Sequence, residues 1–82
     1  MISVKNKSLV KTLGERIRNF RIEMNLSQLE LANEADIPLS QIGRIERGEI
    51  NSTISTLYVI AQALDIELKI LLDFKIKEKN QS

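Results

Sequence analysis

With no histidine and no cysteine, this chain of 82 residues has only carboxylates, amines, guanidinium groups, hydroxyls and amides for its chemistry. Disulfides are excluded, and so are thiolate and imidazole metal sites. General acid–base work would rest on scattered Glu, Asp and Lys, and the sequence contains no paired-carboxylate, phosphate-loop or triad pattern. Neither an enzyme nor a bound cofactor is expected. The residues whose spacing does suggest chemistry lie in one stretch, SQLELANEADIPLSQIGRIERG, Ser27 to Gly48. Two short helical patterns are held close together there, and the second carries small, polar and basic residues on its outer side. A small helix pair has little core of its own, so its outer side suits contact with something outside the protein.

The net charge of +1 is uninformative about nucleic acid, and the distribution of charge matters more. Lys5, Lys7 and Lys11 cluster at the start, and Arg16, Arg18 and Arg21 fall in one short segment. Arg44 and Arg47 lie in the quoted stretch, and Lys75, Lys77 and Lys79 end the chain. Acids are interspersed, so the pattern fits either a basic face or a solvated mixed-charge surface.

The elements that must position these groups follow from apolar spacing. Residues 1–9 read as a mobile arm. Leu13, Ile17, Phe20 and Met24 recur at intervals of three and four, the stripe of a first helix from about Val10 to Met24. Asn25 suits the left-handed conformation that closes it. Ser27 and Glu30 form a capping-box pattern for a second helix with Leu31, Ala32 and Ala35 inside. Asp36-Ile37-Pro38 breaks that helix, and Pro38 suits the first turn of a third. Ile42 and Ile45 are its apolar side, and Gly48 ends it. Thr53 or Ser55 caps a fourth helix whose inner face is Leu57, Ile60, Ala61 and Leu64.

The last segment reads two ways. Leu68, Leu71 and Leu72 fit a short fifth helix, the favoured reading. Ile66, Leu68, Ile70, Leu72, Phe74 and Ile76 also alternate as in a strand, which would need a partner across a dimer. One domain is expected over residues 10–74, followed by a basic flexible tail over 75–82. A chain this short buries only about 60% of its unfolded surface. With two Phe, one Tyr and no Trp, its core must be aliphatic. The residues MISVKNKSLVK lack the apolar run of a signal peptide, and no stretch reaches the roughly 20 apolar residues of a membrane span. A soluble, cytoplasmic protein is expected.

Several blocks in order, GERIRNFRIEMNLSQLELA, IGRIERG and ISTLYVIAQAL followed by Asp65-Ile66, resemble the Cro/repressor-type (Xre) helix-turn-helix family from about Leu13 to Leu72. The resemblance implies an all-α, compact five-helix bundle that binds double-stranded DNA as a homodimer. Its third helix would enter the major groove, and its two-fold symmetry would match a near-palindromic operator. The expected function is sequence-specific transcriptional regulation. The alternatives are an antitoxin or restriction–modification controller acting on its own operon, or a helical protein-binding adaptor that has lost DNA binding. A cognate toxin is a further candidate partner.

The resemblance also assigns roles. Leu39, Ser40, Gly43 and Arg44 map to the outward side of the recognition helix as base-contacting residues. Arg44 is the strongest reader, because a guanidinium bonds two acceptors on guanine, worth about 1–3 kcal/mol of discrimination; a phosphate contact is its alternative. Ser40 reaches a base or a phosphate, and Leu39 covers a thymine methyl or packs on the domain. Gly43 allows close approach. Gln28 is the family's phosphate clamp at a helix N-terminus, with Ser27 beside it chiefly as the cap. Gln41, Arg47 and Asn51 are further phosphate candidates, although Asn51 also suits loop shaping. Arg21 and Glu46 correspond to a buried structural salt bridge. Ile66, Leu68, Ile70 and Phe74 are the expected dimer interface, the alternative being closure of the monomer's own core.

The sequence departs from its relatives at several positions. Asp36 stands where glycine is usual, Pro38 replaces a Ser or Thr cap, Ser52 replaces a common proline, and Ile70 occupies a site often acidic.

Overall fold

The computed structural model describes residues 6–76. Its helices are α1 (Lys7–Glu23), α2 (Gln28–Ala35), α3 (Leu39–Glu46), α4 (Ile54–Ala63) and α5 (Leu68–Leu71). Among the described residues there is no strand. Residues 1–5 of the expected arm and 77–82 of the expected tail lie outside the described residues.

Local chemistry explains most helix ends. Asn6 caps α1 by accepting from Leu9 N at 2.9 Å, so this helix begins three residues before the expected Val10. Asn25 follows in the left-handed region at φ 60. The capping box at α2 is complete: Ser27 Oγ accepts from Glu30 N at 2.9 Å, and Glu30 Oε1 accepts from Ser27 N at 2.8 Å. Asp36 ends α2 at φ 59, a geometry Asp tolerates better than most residues, so the turn survives without glycine. Pro38 lies just outside α3 as its N-cap rather than in the first turn, and it supplies no side-chain cap. At α4 the choice falls on Thr53, whose Oγ1 accepts from Thr56 N at 3.1 Å. Asp65 closes that helix at φ 58, a third left-handed residue that the sequence reading did not mark.

The core is aliphatic. Ile17, Leu31, Ile42, Ile45, Ile60, Leu64 and Leu71 are its largest fully buried side chains. Phe20 packs against this cluster, but Met24, expected on the same stripe, is 42% exposed because it lies past the end of α1. α3 packs on α1 and α2, α4 on α2 and α5, and α5 returns to α1.

The strand alternative for residues 66–76 gives way to helix α5 and an irregular tail. Leu71, which is not in the alternating set, is the residue buried completely. Arg16 explains why the segment stays in place: its Nε donates to Leu71 O at 2.9 Å and its Nη2 to Ile70 O at 2.8 Å. A cation near a helix C-terminus satisfies carbonyls that the helix cannot. The same guanidinium lies 5.1 Å from the Phe20 ring centroid and 6.0 Å from that of Phe74. Composition alone placed Arg16 in a basic cluster; the fold makes it the tie between α1 and α5.

Among the described residues no helix is long and apolar enough to cross a membrane.

Candidate nucleic-acid interface

α3 is two-sided. Ile42, Ile45 and Glu46 face inward and are buried, whereas Leu39, Ser40 and Arg44 are exposed. Leu39 remains 45% exposed, so it is not absorbed into the domain's own core. Positions 39, 40, 43, 44 and 47 follow one another along a single helical stripe. Gln41 is half-buried and lies off that stripe.

A buried ionic network sets the orientation of α3. Arg21 Nε donates to Glu46 Oε2 at 2.7 Å and Nη2 to Glu46 Oε1 at 3.0 Å, a two-pronged pairing of the strong kind. Arg21 Nη1 donates to Leu26 O at 2.8 Å, which ties the α1–α2 turn into the same network. Gln28 completes it: its Nε2 donates to Glu46 Oε1 at 3.0 Å. Gln28 is thus half-buried, with one N–H of its amide committed to the protein. An amide NH2 has two N–H donors, so the bond to Glu46 leaves the second one for a phosphate contact. Ser27 is occupied as the cap of α2.

Gly43 lies on this stripe but is buried beneath the Arg47 side chain. A Cβ there would sit 3.0 Å from Arg47 Nη1 and 3.8 Å from Gln28 Oε1. The missing side chain makes room for the Arg47 fork to lie across the helix. Arg47 Nε in turn donates to Glu49 Oε2 at 2.8 Å, and Nη2 to Oε1 at 3.3 Å. The hydrogen bond and then the charge of Glu49 hold the Arg47 pKa above its ordinary value. Arg44 Nε also approaches Glu49 Oε1, at 3.8 Å. Glu49 was not singled out in the sequence, although its position just past the helix end was legible. Asn51 is exposed and lines a cleft with Leu9, Val10, Leu57 and Leu72. It is the one site residue that the structure sets beside that cleft rather than along α3. In the same cleft, the buried Ser52 hydroxyl has no hydrogen-bond partner among the described residues.

The residues expected at a dimer interface do not share one outward face. Ile66, Leu68 and Phe74 are half-buried and pack on the core of their own monomer, and only Ile70 is exposed, at 40%. Alternation would have aligned them on one side of a strand, and the helix disperses them. The exposed apolar residues of this region are instead Ile54 at 61%, Tyr58 at 51%, Ile70 and Leu72. Tyr58 accepts a hydrogen bond from Gln62 Nε2 at 3.2 Å, and Ile54, Tyr58 and Gln62 form an i, i+4, i+8 row on α4.

Residues 17–71 match the helix-turn-helix family model. The chain is 42% identical over 60 residues to the control protein C.SmaI of Serratia marcescens, covering 73% of this chain and 71% of that protein. It is 40% identical over 57 residues to the immunity repressor of Bacillus phage phi105, covering 70% of this chain but only 40% of the repressor. Among solved structures, the restriction–modification controller C.AhdI from Aeromonas hydrophila superposes with a TM-score of 0.73 at 40% identity, covering 77% of this chain and 94% of that one. The controller C.Esp1396I, solved as a tetramer with its natural 35 base-pair operator, gives a TM-score of 0.77 at 25% identity, covering 83% of this chain and 90% of that one. This chain therefore belongs to the Cro/repressor-type helix-turn-helix family of DNA-binding transcriptional regulators.

Proposed function

We propose that the protein is a sequence-specific regulator of transcription that binds double-stranded DNA as a homodimer on a near-palindromic operator, without catalysis and without a cofactor. The observation that carries this reading is α3, locked by Arg21–Glu46–Gln28 with Leu39, Ser40 and Arg44 outward. A buried network of this kind holds a helix at a fixed angle, which is what reading base edges requires. Such a regulator works where the chromosome is, in the cytoplasm.

Within that class a restriction–modification controller is favoured, because the similarity to C.SmaI and C.AhdI extends over 71% and 94% of those proteins. A helical adaptor without DNA binding would show no salt-dependent affinity for any duplex.

Selection from a random duplex pool, with the wild type and with Arg44→Ala, tests the regulator reading. A near-palindrome should be enriched, and Arg44→Ala should relax one position per half-site at a cost of about 1–3 kcal/mol. An unenriched pool from a folded protein would reject the proposal.

Self-association is assigned to the outer faces of α4 and α5, around Ile54, Tyr58 and Ile70. Tyr58→Glu places a charge on that surface and should shift the protein to monomers in sedimentation at micromolar concentration, with a lower operator affinity. A dimer that withstands this change would move the interface elsewhere.

A further inference from the structure

We propose that Glu49 sets the specificity of the α3 surface by holding the guanidinium groups of Arg44 and Arg47 against non-specific phosphate binding. The inference rests on the DNA-binding reading above and adds a residue to it.

Glu49 is held in place by the backbone. Gly48 takes φ 73, and Glu49 N donates to Arg44 O at 2.9 Å, so the chain doubles back over the end of α3. A Cβ at Gly48 would lie 2.8 Å from Lys11 Cα, so α1 blocks other residues from this turn. The carboxylate therefore sits beside the arginines by construction. It takes both Nε and Nη2 of Arg47 and lies 3.8 Å from Arg44 Nε. Among the described residues, one negative charge thus faces two cations on the surface assigned to DNA, and all three side chains are about half exposed.

A phosphate arriving at this surface must compete with a carboxylate already seated in the Arg47 fork. A scrambled duplex offers phosphates without the matching base edge, so it gains little from the exchange. A correct operator also offers a base edge to Arg44. The Glu49 contact is on the Nε side of that guanidinium, which leaves its terminal amino groups to pair with guanine while Glu49 steadies the fork. The same carboxylate thus works against the sequence-independent part of binding and in favour of the sequence-dependent part.

The test is Glu49→Gln, compared with the wild type on the selected operator and on a scrambled duplex across a salt series, with a thermal melt of each protein. An exposed charge pair corresponds to an effect of about fivefold, so the variant should bind scrambled duplex about fivefold more tightly. Its plot of log affinity against log salt should steepen by about one unit as Arg47 turns to a phosphate. Operator affinity should rise less, so the ratio of specific to non-specific binding falls while the melt stays unchanged. An equal gain on both duplexes would make Glu49 a simple repulsive charge and overturn the inference. Unchanged slopes, or weaker binding to both duplexes, would overturn it as well. If the wild type bound neither duplex, the DNA-binding reading itself would fall.

Discussion

Glu46→Ala is expected to cost about 3–5 kcal/mol of stability, because it leaves the Arg21 guanidinium buried without its partner. Among the described residues, Arg21 and Glu46 are the two buried charged residues, with side chains 10% and 2% exposed. A domain of this length has a total stability of only about 4–12 kcal/mol, at roughly 0.05–0.15 kcal/mol per residue. The variant should therefore lose a large share of its stability and show a strongly reduced urea midpoint. Much of the cost is the uncompensated charge rather than the worth of the pair. Replacing both partners together, Arg21→Met with Glu46→Leu, should accordingly cost less than Glu46→Ala alone. A loss below about 1 kcal/mol for Glu46→Ala would show the pair behaving like a surface ion pair.

The second large effect is expected at Gly14, where α1 crosses α3. An added Cβ would collide with the carbonyl oxygen of Ile45 and sit 2.8 Å from that of Glu46. Both obstacles are backbone, so no side-chain rotation relieves them. Gly14→Ala gains up to about 1 kcal/mol of helix propensity. Against that, forced overpacking costs about 1–3 kcal/mol or more, and shifting α3 also strains the Arg21–Glu46 pairing. A net loss of about 2 kcal/mol is expected, which lowers Tm by roughly 8–16 °C in a domain of this size. Differential scanning calorimetry checks it. An unchanged or raised Tm would mean that α1 and α3 separate without cost, and that the close crossing does not hold the recognition helix.

These expectations join the fold to the proposed function. Gly14 lets α3 approach α1, the Arg21–Glu46 pair fixes its rotation, and Gln28 couples that pair to the start of α2. The outward stripe is only as well aimed as these inner contacts allow. A small loosening at Gly14 or Glu46 should therefore appear in DNA selectivity before it appears as unfolding.

Much of the fold was legible because its signals are local. The capping box at Ser27 and Glu30, the stripe of Leu13 and Ile17, and the inner faces of α2 and α4 depend on residues three or four apart. The outward side of α3 was legible too, since a helix with Ile42 and Ile45 inside must turn Ser40 and Arg44 away. The C-terminal segment was ambiguous for a physical reason. Its alternating apolar residues satisfy a strand pattern as well as a helix, and the deciding contacts are Arg16 with the carbonyls of Ile70 and Leu71, more than 50 residues away in sequence. For the same reason, Ile66, Leu68 and Phe74 pack on their own core, whereas Ile70, Tyr58 and Ile54 are exposed.

Taken alone, the sequence determined the helix pattern, the aliphatic core, the absence of histidine and cysteine chemistry, and the family. These follow from residue type and short-range periodicity. Only the tertiary structure decided that Gln28 joins the buried ion pair, that Gly14 and Gly43 are spaces reserved for neighbouring groups, that Arg16 binds α5, and that Glu49 turns back onto Arg44 and Arg47. Each of those depends on where a side chain ends after several helices have packed, and on which charges then share one small volume. Short-range spacing does not encode that geometry.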